Sequence, residues 1–447
     1  MRKQAIWNHK YSDNELNTLG PIRSLSIDLA YPLPAVIAKQ AAGIEYDRAL
    51  ILVKIAENII GTLQLNIPHP SLTNLALSRL IWQELKDEII AFHTDRFLPA
   101  PVNLPLQGFQ LEKDHTLSRK TALESAPFAS VVIATRNRTT SLRVTIDSLL
   151  KLNYPHYNII VVDNAPSTDE TETYIREQFA HNPMIIYLRE DRPGLAAAHN
   201  KGLSIVDAPI VAFTDDDVVV EPNWLLELAN GFTTTDTVAA VTGMIWPAEL
   251  NTPAQIWTEQ FGGFGKGLKQ RIFGLTHEHS KGPLFPYTVG DFGSGANMAF
   301  KTDPLKQLGG FDTALGAGSK GMGGDDLDAF FQIITQGYDL VYEPNAVVWH
   351  WHRAEYAGLK RTAFGYGAGF TAFLTKSLLQ KPSRILDVLK KLPAGIQHLA
   401  NPSSRKNQGK AKGFPKELNW LERKGMLYGP IAYFKSRREQ VKLASKS

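Results

Sequence analysis

The sequence predicts an α/β fold with a doubly wound, mostly parallel sheet. Four short runs rich in β-branched residues begin at Ser130, Asn158, Met184 and Ile210, so their starts lie 28, 26 and 26 residues apart. This spacing accommodates a strand, a helix and two loops, as in successive βαβ units. Between the first two runs, apolar residues recur with the spacing of a buried helix face, at Leu142, Ile146, Leu149 and Leu150.

The chain has 447 residues and no cysteine. That length is sufficient for two or three domains with a sizeable core. The absence of cysteine excludes disulfide scaffolds, thiol catalysis and cysteine-ligated zinc or iron–sulfur centres. Any metal must therefore bind to oxygen ligands or to histidine.

Four segments are expected along the chain. Residues 1–105 predict a small α+β accessory domain, with strands at 49–53 and 62–66 followed by a helix at 75–92. Prolines at 99, 101 and 105 mark a linker, taken as residues 106–127. The α/β domain is expected at 128–375, and a basic, partly helical tail at 376–447.

The net charge of +4 is unevenly distributed. Residues 376–447 contain 17 Lys and Arg against 4 Asp and Glu, a net charge of +13, so the first 375 residues carry −9. A basic tail favours an anionic partner, either a membrane surface or a nucleic acid. Because no nucleic-acid recognition motif accompanies the lysines, we expect a membrane surface and no nucleic acid.

The sequence predicts a cytoplasmic protein that can attach peripherally to the membrane. Met1 to Lys10 has no apolar core after its positive charges, unlike a signal peptide. No run approaches the roughly 18 apolar residues of a membrane-spanning helix.

Asp215, Asp216 and Asp217 directly follow the fourth β-branched run. Ligands of open parallel sheets bind beyond the carboxyl ends of the strands, which is where this triplet is expected. Carboxylates suit Mg²⁺ or Mn²⁺, and in an extended segment Asp215 and Asp217 point to the same side. The alternative is a solvated acidic turn.

Polar residues also follow the first two runs, as Thr135-Arg136-Asn137-Arg138 and as Asp163-Asn164. Neither position contains a glycine-rich phosphate loop. Thr135, Arg136 and Asp163 could instead hydrogen-bond a base and a ribose. The alternative is that Thr135 and Asp163 only cap helices.

Three later segments supply further candidates. Asn200 and Lys201 end an alanine-rich segment and could orient a nucleotide or a phosphate. Asp325 and Asp326 follow two glycines at a predicted helix start, where one carboxylate could cap the helix and the other could act as a general base. His350 and His352 share one face of a strand, and His350 is the stronger candidate for a metal ligand.

Together these motifs resemble, in order, those of family 2 glycosyltransferases. The resemblance rests on Val131-Val-Ile-Ala-Thr-Arg-Asn-Arg138, Val161-Val-Asp-Asn164, Arg192-Pro-Gly-Leu195, Phe213-Thr-Asp-Asp-Asp217, Gly309-Gly-Phe-Asp312 and Gly324-Asp-Asp326, and it covers about residues 128–375. It implies a GT-A fold, a UDP-, GDP- or dTDP-sugar donor, Mn²⁺ or Mg²⁺ on the DXD motif and inversion at the anomeric carbon. A glycan or lipid-linked hydroxyl acceptor is expected, as in polysaccharide biosynthesis.

The resemblance also implies roles for individual residues. Asp215 and Asp217 match the DXD positions, His350 matches a late histidine that faces the metal, and Asp326 matches the base. The family usually has Glu where this chain has Asp325, so either carboxylate could be catalytic. The residues expected to bind the nucleotide sugar are Thr135, Arg136, Arg138, Asp163, Asn164, Asn200, Lys201 and Asp216.

Two alternatives remain open. A sugar nucleotidyltransferase has a related sheet but needs a glycine-rich loop after the first strand, and Ala134 to Arg138 contains no glycine. A non-catalytic glycan-binding protein could keep the fold, but the intact acidic triplet and Asp326 argue against it.

Overall fold

The computed structural model describes residues 20–39, 43–109, 111, 122–261, 264–277, 282–404, 406–407, 409–410 and 413–444. The prediction for Met1 to Lys10 therefore lies outside the described residues. Within them, the strands are β1 Ile22–Asp28, β2 Val36–Ile37, β3 Arg48–Ile55, β4 Asn58–Asn66, β5 Ser71–Leu72, β6 Ala129–Thr135, β7 Tyr157–Asn164, β8 Ile185–Glu190, β9 Ile210–Thr214, β10 Val218–Val220, β11 Val238–Pro247, β12 Arg271–Phe273, β13 Asn297–Lys301 and β14 Asp339–His350.

The helices of the described residues alternate with the strands in the middle of the chain and dominate its end. They are α1 Asn74–Thr94, α2 Thr139–Leu149, α3 Glu170–Phe179, α4 Leu195–Leu203, α5 Trp224–Gly231, α6 Pro253–Gln260, α7 Thr302–Gln307, α8 Asp325–Thr335, α9 Tyr356–Gln380, α10 Arg384–Ala400 and α11 Lys416–Ala444.

The central sheet has nine strands, with the order β10-β14-β11-β13-β9-β6-β7-β8 and β12 paired to β14. Strands β6 to β9, β11 and β14 run in one direction, whereas β10, β12 and β13 run in the other. The predicted α/β class with a mostly parallel sheet is therefore confirmed. The sheet separates two large apolar clusters, so its strands are buried on both faces.

Helix α4 packs closely on this sheet because its inner face is made of small residues. Ala196, Ala197 and Ala198 are buried, and a β-carbon at Gly202 would lie 2.5 Å from Val132 of β6. The start of α4 lies near the carboxyl end of β7, because the Gly194 N–H donates to the Asn164 side chain.

The N-terminal region forms a second, smaller sheet of β1, β3 and β4, covered by α1. Strand β1 was not predicted from the sequence, and it pairs with β3 in parallel. Strand β3 is almost continuously apolar because both of its faces are buried. Ile51 and Val53 join the core under α1, whereas Leu50 and Leu52 pack with Met244 and its neighbours in the central sheet.

The C-terminal segment is largely helical. Helices α9 and α11 pack along each other, and glycines allow their backbones to approach, since a β-carbon at Gly367 would lie 1.9 Å from the carbonyl of Glu422. Among the described residues, none of these helices is long and apolar enough to cross a membrane.

Candidate active site

The acidic triplet lies between β9 and β10, at the carboxyl end of β9. Two side chains hold it in place, one from the last residue of β6 and one from the turn that follows this strand. The Thr135 hydroxyl donates to Asp216 over 2.7 Å, and the Arg138 guanidinium donates to both Asp216 and Asp217 over 2.6 Å. A fixed cation of the chain thus offsets part of the repulsion within the triplet. Thr135 and Arg138, predicted to contact a nucleotide, here position carboxylates.

Strand pairing brings His350 to the triplet. Strand β10 runs antiparallel to β14, with Val218 opposite His350, so the histidine lies beside Asp217. Its Nε2 atom is 3.4 Å from Asp217 Oδ1 and 3.9 Å from Asp215 Oδ2. Asp215, Asp217 and His350 each offer one ligand atom, and these atoms lie within 4.8 Å of one another. Two carboxylates and an imidazole at this separation fit one divalent cation.

Burial and neighbouring charges shift the pKa values of these three side chains in different directions. Burial raises the pKa of Asp215, as do the neighbouring charges of Asp217 and Asp216. Burial opposes the ionisation of Asp217, but His350 and Arg138 outweigh it, and its pKa lies below the ordinary value. Burial lowers the pKa of His350 to about 4, so the imidazole is neutral and can donate a lone pair to a cation.

Glu259, which was not predicted from the sequence, acts with His352 to orient His350. His352 lies behind it, with 3.1 Å between the two Nδ1 atoms, and the Nε2 atom of His352 is 2.6 Å from Glu259 Oε1. Both His352 and Glu259 are buried. His352 therefore does not face the acidic pair. Glu259 is an isolated glutamate on α6, and only its burial distinguishes it from a surface residue.

Asp325 and Asp326 begin α8. Gly324, with φ of 85°, precedes them in a conformation that favours glycine, and a β-carbon there would lie 2.5 Å from the carbonyl of Gly369 on α9. The half-buried Asp326 accepts from the backbone N–H of Gly295 over 2.9 Å and of Leu327 over 2.8 Å. These bonds fix its carboxylate, and burial raises its pKa.

Asp325 is more deeply buried than Asp326, at 5% exposed. Among the described residues, its Oδ2 atom has no hydrogen-bond partner. Burial, followed by the charge of Asp326, raises its pKa to about 7. Asp325 also lies close enough to Asp215 for its charge to raise the pKa of that residue. The start of α8 and the acidic triplet therefore share one site.

Asp163 is the penultimate residue of β7 and lies directly beside Thr135, because the two residues are paired in the sheet. It is fully buried and accepts from the Tyr187 hydroxyl over 3.2 Å. Its Oδ1 atom has no partner among the described residues, and burial raises its pKa. A buried carboxylate oxygen in this position is suited to accept hydrogen bonds from a ligand.

Other predicted binding residues have structural contacts or lie apart. Asn200 donates to the Phe311 carbonyl over 2.7 Å and accepts from the Phe311 N–H over 2.8 Å. Asn164 donates to the Arg192 carbonyl and accepts from the Gly194 N–H. Arg136 is exposed, and Lys201 is half-buried in the last turn of α4.

Comparison with known proteins identifies the domain that carries this site. The family model for glycosyl transferase family 2 matches residues 130–309, which include the acidic triplet. Residues 130–309 form a domain of glycosyl transferase family 2. This match confirms the resemblance and the predicted enzyme class, and it disfavours the nucleotidyltransferase and the non-catalytic alternatives.

The glycosyltransferase resembles several proteins at moderate identity. It is 27% identical over 267 residues to the glucosyl-dolichyl phosphate glucuronosyltransferase of Haloferax volcanii, covering 58% of this chain and 77% of that protein. It is 26% identical over 226 residues to the pre-mycofactocin glycosyltransferase of Mycobacterium tuberculosis, covering 51% of this chain and 43% of that protein.

A solved structure also matches the glycosyltransferase. It is the mannosyltransferase PcManGT of Pyrobaculum calidifontis in complex with GDP-Man and Mn²⁺, at 19% identity and a TM-score of 0.43. The match covers 73% of this chain and 93% of that one.

Proposed function

We propose that this glycosyltransferase moves a sugar from a UDP-, GDP- or dTDP-sugar to a hydroxyl group of a glycan or lipid-linked acceptor, with inversion at the anomeric carbon. The observation that carries the proposal is the convergence of Asp215, Asp217 and His350 beside the two carboxylates that begin α8. A candidate cation site and a potential base thus lie close together.

Asp215, Asp217 and His350 would hold Mn²⁺ or Mg²⁺, and the buried Asp163 would accept hydrogen bonds from the nucleoside. The bound cation would offset the charge that develops on the departing nucleoside diphosphate. Arg138 would keep Asp217 ionised and oriented, because its guanidinium contacts that carboxylate directly.

Asp326 would act as the general base. It is more exposed than Asp325, so an acceptor hydroxyl can reach it. Two backbone N–H groups fix its carboxylate, and a raised pKa favours proton capture near neutral pH. As Asp326 takes the proton, the acceptor oxygen bonds to the anomeric carbon, and the bond from that carbon to the diphosphate oxygen breaks with its electron pair on the diphosphate.

A panel of UDP-, GDP- and dTDP-sugars tests which donor the enzyme uses. Donor hydrolysis and thermal shift are each measured once with Mn²⁺ and once with EDTA. We expect one nucleotide to raise the melting temperature only in the presence of Mn²⁺. No shift with any nucleotide in either condition would contradict the proposal.

Two variants separate metal binding from proton transfer. Asp217→Asn removes a candidate metal ligand and should weaken Mn²⁺ binding, which a titration without donor measures. The loss should exceed the roughly 10- to 100-fold seen when a residue that only supports a ligand is replaced. Asp326→Asn should keep Mn²⁺ binding but lower kcat by about 100- to 10,000-fold. The exposed Asp236→Asn is the matched control and should alter neither. Full turnover of Asp326→Asn would refute the base assignment.

A further inference from the structure

Helix α10 carries an apolar stripe that faces away from the protein. Its exposed large side chains are Ile385, Leu386, Leu389, Leu392 and Ile396, which are 44–64% exposed. None of the helix's residues is buried. Because these five recur at i, i+3, i+4 and i+7 spacing, they form one continuous face.

The opposite side of α10 attaches it to the body through Val388, which packs against the apolar core, and through polar contacts. The Arg384 guanidinium lies 4.8 Å from the centroid of the Phe331 ring and donates to the Ser377 hydroxyl over 3.1 Å. Asp387 accepts from the Tyr287 hydroxyl. The large apolar side chains on its outer side remain exposed, unlike those of an ordinary surface helix, whose apolar side is buried. Among the described residues, no element covers these leucines fully.

Helix α11 presents a similar face with more charge. Its inner side packs on α9, whereas its outer side exposes Trp420, Leu427, Ile431 and Phe434, which are 46–82% exposed. Lys424, Lys435 and Arg438 are interleaved with these residues on the outer side and are also exposed. Arg423 of α11 donates to the Leu399 carbonyl of α10 over 3.4 Å, so the two helices are neighbours.

The outer side of α11 has an excess of positive charge. The three glutamates of α11 each pair with a lysine, namely Glu417 with Lys360, Glu422 with Lys406 and Glu439 with Lys320. Among the described residues, no carboxylate pairs with Lys424, Lys435 or Arg438. An uncompensated cationic surface interleaved with apolar side chains matches an anionic, partly apolar partner.

We propose that the exposed sides of α10 and α11 form a docking surface for an anionic lipid bilayer. The leucines and isoleucines would enter the boundary between headgroups and acyl chains, while the lysines and Arg438 would contact anionic headgroups. A second copy of the chain is disfavoured, because two identical cationic faces repel each other. A nucleic acid is disfavoured, because its phosphates would leave the aliphatic stripe of α10 exposed to water.

The surface lies within residues 376–447, the basic tail for which the sequence predicts contact with a membrane surface. The preceding helix α9 is also rich in apolar residues, but its Ala368, Ala372 and Phe373 are buried. The lipid-facing side chains lie instead on α10 and α11.

Flotation of the full chain with vesicles tests the proposal. We expect recovery with phosphatidylcholine vesicles that contain phosphatidylglycerol, and much weaker recovery with phosphatidylcholine alone. Lys424→Gln with Arg438→Gln should lower the partition coefficient roughly 30-fold, since each basic residue near such a surface contributes about fivefold. Leu389→Gln with Leu392→Gln should lower it roughly tenfold. Equal recovery of both double variants and the wild type would overturn the proposal.

Matched controls lie elsewhere on the surface. Arg79→Gln with Lys151→Gln removes two exposed cations, and Val102→Gln removes an apolar side chain that is 87% exposed. Both should partition like the wild type. Donor hydrolysis without vesicles should be the same in all these variants, so a failure of the membrane proposal is distinguishable from a failure of the proposed chemistry.

Two further measurements decide between partners. Brominated lipid should quench more fluorescence in the wild type than in Trp420→Phe, and equal quenching would place α11 away from the bilayer. Light scattering should show the same oligomeric state for the wild type and Leu389→Gln with Leu392→Gln. A wild-type dimer that this variant converts to a monomer would assign the face to self-association and overturn the proposal.

Discussion

At the scale of single residues, the carboxyl group of Asp325 makes stability depend on pH. Burial raises its pKa in the folded chain to about 7, well above the value of about 3.9 expected in the unfolded chain. Folding therefore favours the protonated form. The stability contributed by this group is complete below pH ~4 and is lost as the pH rises through about 7.

Asp325→Asn removes this ionisation. Without metal or donor, we expect the variant to be more stable than the wild type by about 1–3 kcal/mol at pH 8, with little difference at pH 4.5. Denaturant unfolding in EDTA at the two pH values measures this. Asp303→Asn changes an exposed carboxylate and should show no such pH dependence. A gain of equal size at both pH values would contradict the argument.

Glu259 and His352 act on the cation site through His350. The contact between Glu259 and His352 fixes one imidazole, which in turn contacts the next. We expect Glu259→Gln to weaken Mn²⁺ binding by about 10- to 100-fold, which is the usual effect of replacing a carboxylate that orients a metal ligand. Calorimetric titration with Mn²⁺ alone reports this without turnover. Unchanged affinity in a folded variant would assign Glu259 a purely structural role.

At the scale of secondary-structure elements, a buried ion pair joins α8 to α9. The Lys376 ammonium contacts the carboxylate of Asp328, and the two residues are 7% and 1% exposed. Lys376→Met would leave Asp328 buried without its cation, so we expect a loss of about 3–5 kcal/mol in the free energy of unfolding.

A double variant tests whether the loss comes from the stranded charge. Lys376→Met with Asp328→Leu should recover most of the stability, because replacing both members of a buried pair with apolar groups is often neutral. Lys391→Met removes a more exposed lysine that pairs with Asp387, and it should cost less than about 1 kcal/mol. Equal losses for Lys376→Met and Lys391→Met would refute the argument.

At this scale, the sequence predicts mainly the elements that depend on local sequence patterns. The periodic strands β6 to β9 were predicted because apolar pattern and spacing are local properties. Strand β13 was not, because it inserts antiparallel between β9 and β11 from a distant part of the chain. Likewise, Asp215 and Asp217 could be paired from their spacing. The link from His350 to Glu259, which lies 91 residues away, depends on tertiary packing. No sequence motif surrounds Glu259 that would mark it as part of the site.

At the scale of the whole molecule, the N-terminal region and the catalytic domain share a core. The division at residue 105 stays a prediction, but the contacts across it are extensive. Trp246 donates to the Ser24 hydroxyl over 3.0 Å, and Glu221 accepts from Trp349 over 3.0 Å while it contacts Lys54. Trp349 directly precedes His350. The small sheet therefore supports the strand that carries a candidate metal ligand.

Leu52→Ala tests this coupling. Leu52 is fully buried in the cluster that includes Met244 and Val347, so its truncation should cost about 2–5 kcal/mol. Because the cavity would adjoin β11 and β14, we expect hydrogen exchange to accelerate in those strands as well as in β3. Leu63→Ala truncates a side chain in the N-terminal core under α1 and should accelerate exchange mainly in β3, β4 and α1. If Leu52→Ala left exchange in β11 and β14 unchanged, the two regions would be energetically independent, and the small sheet would have no part in holding His350.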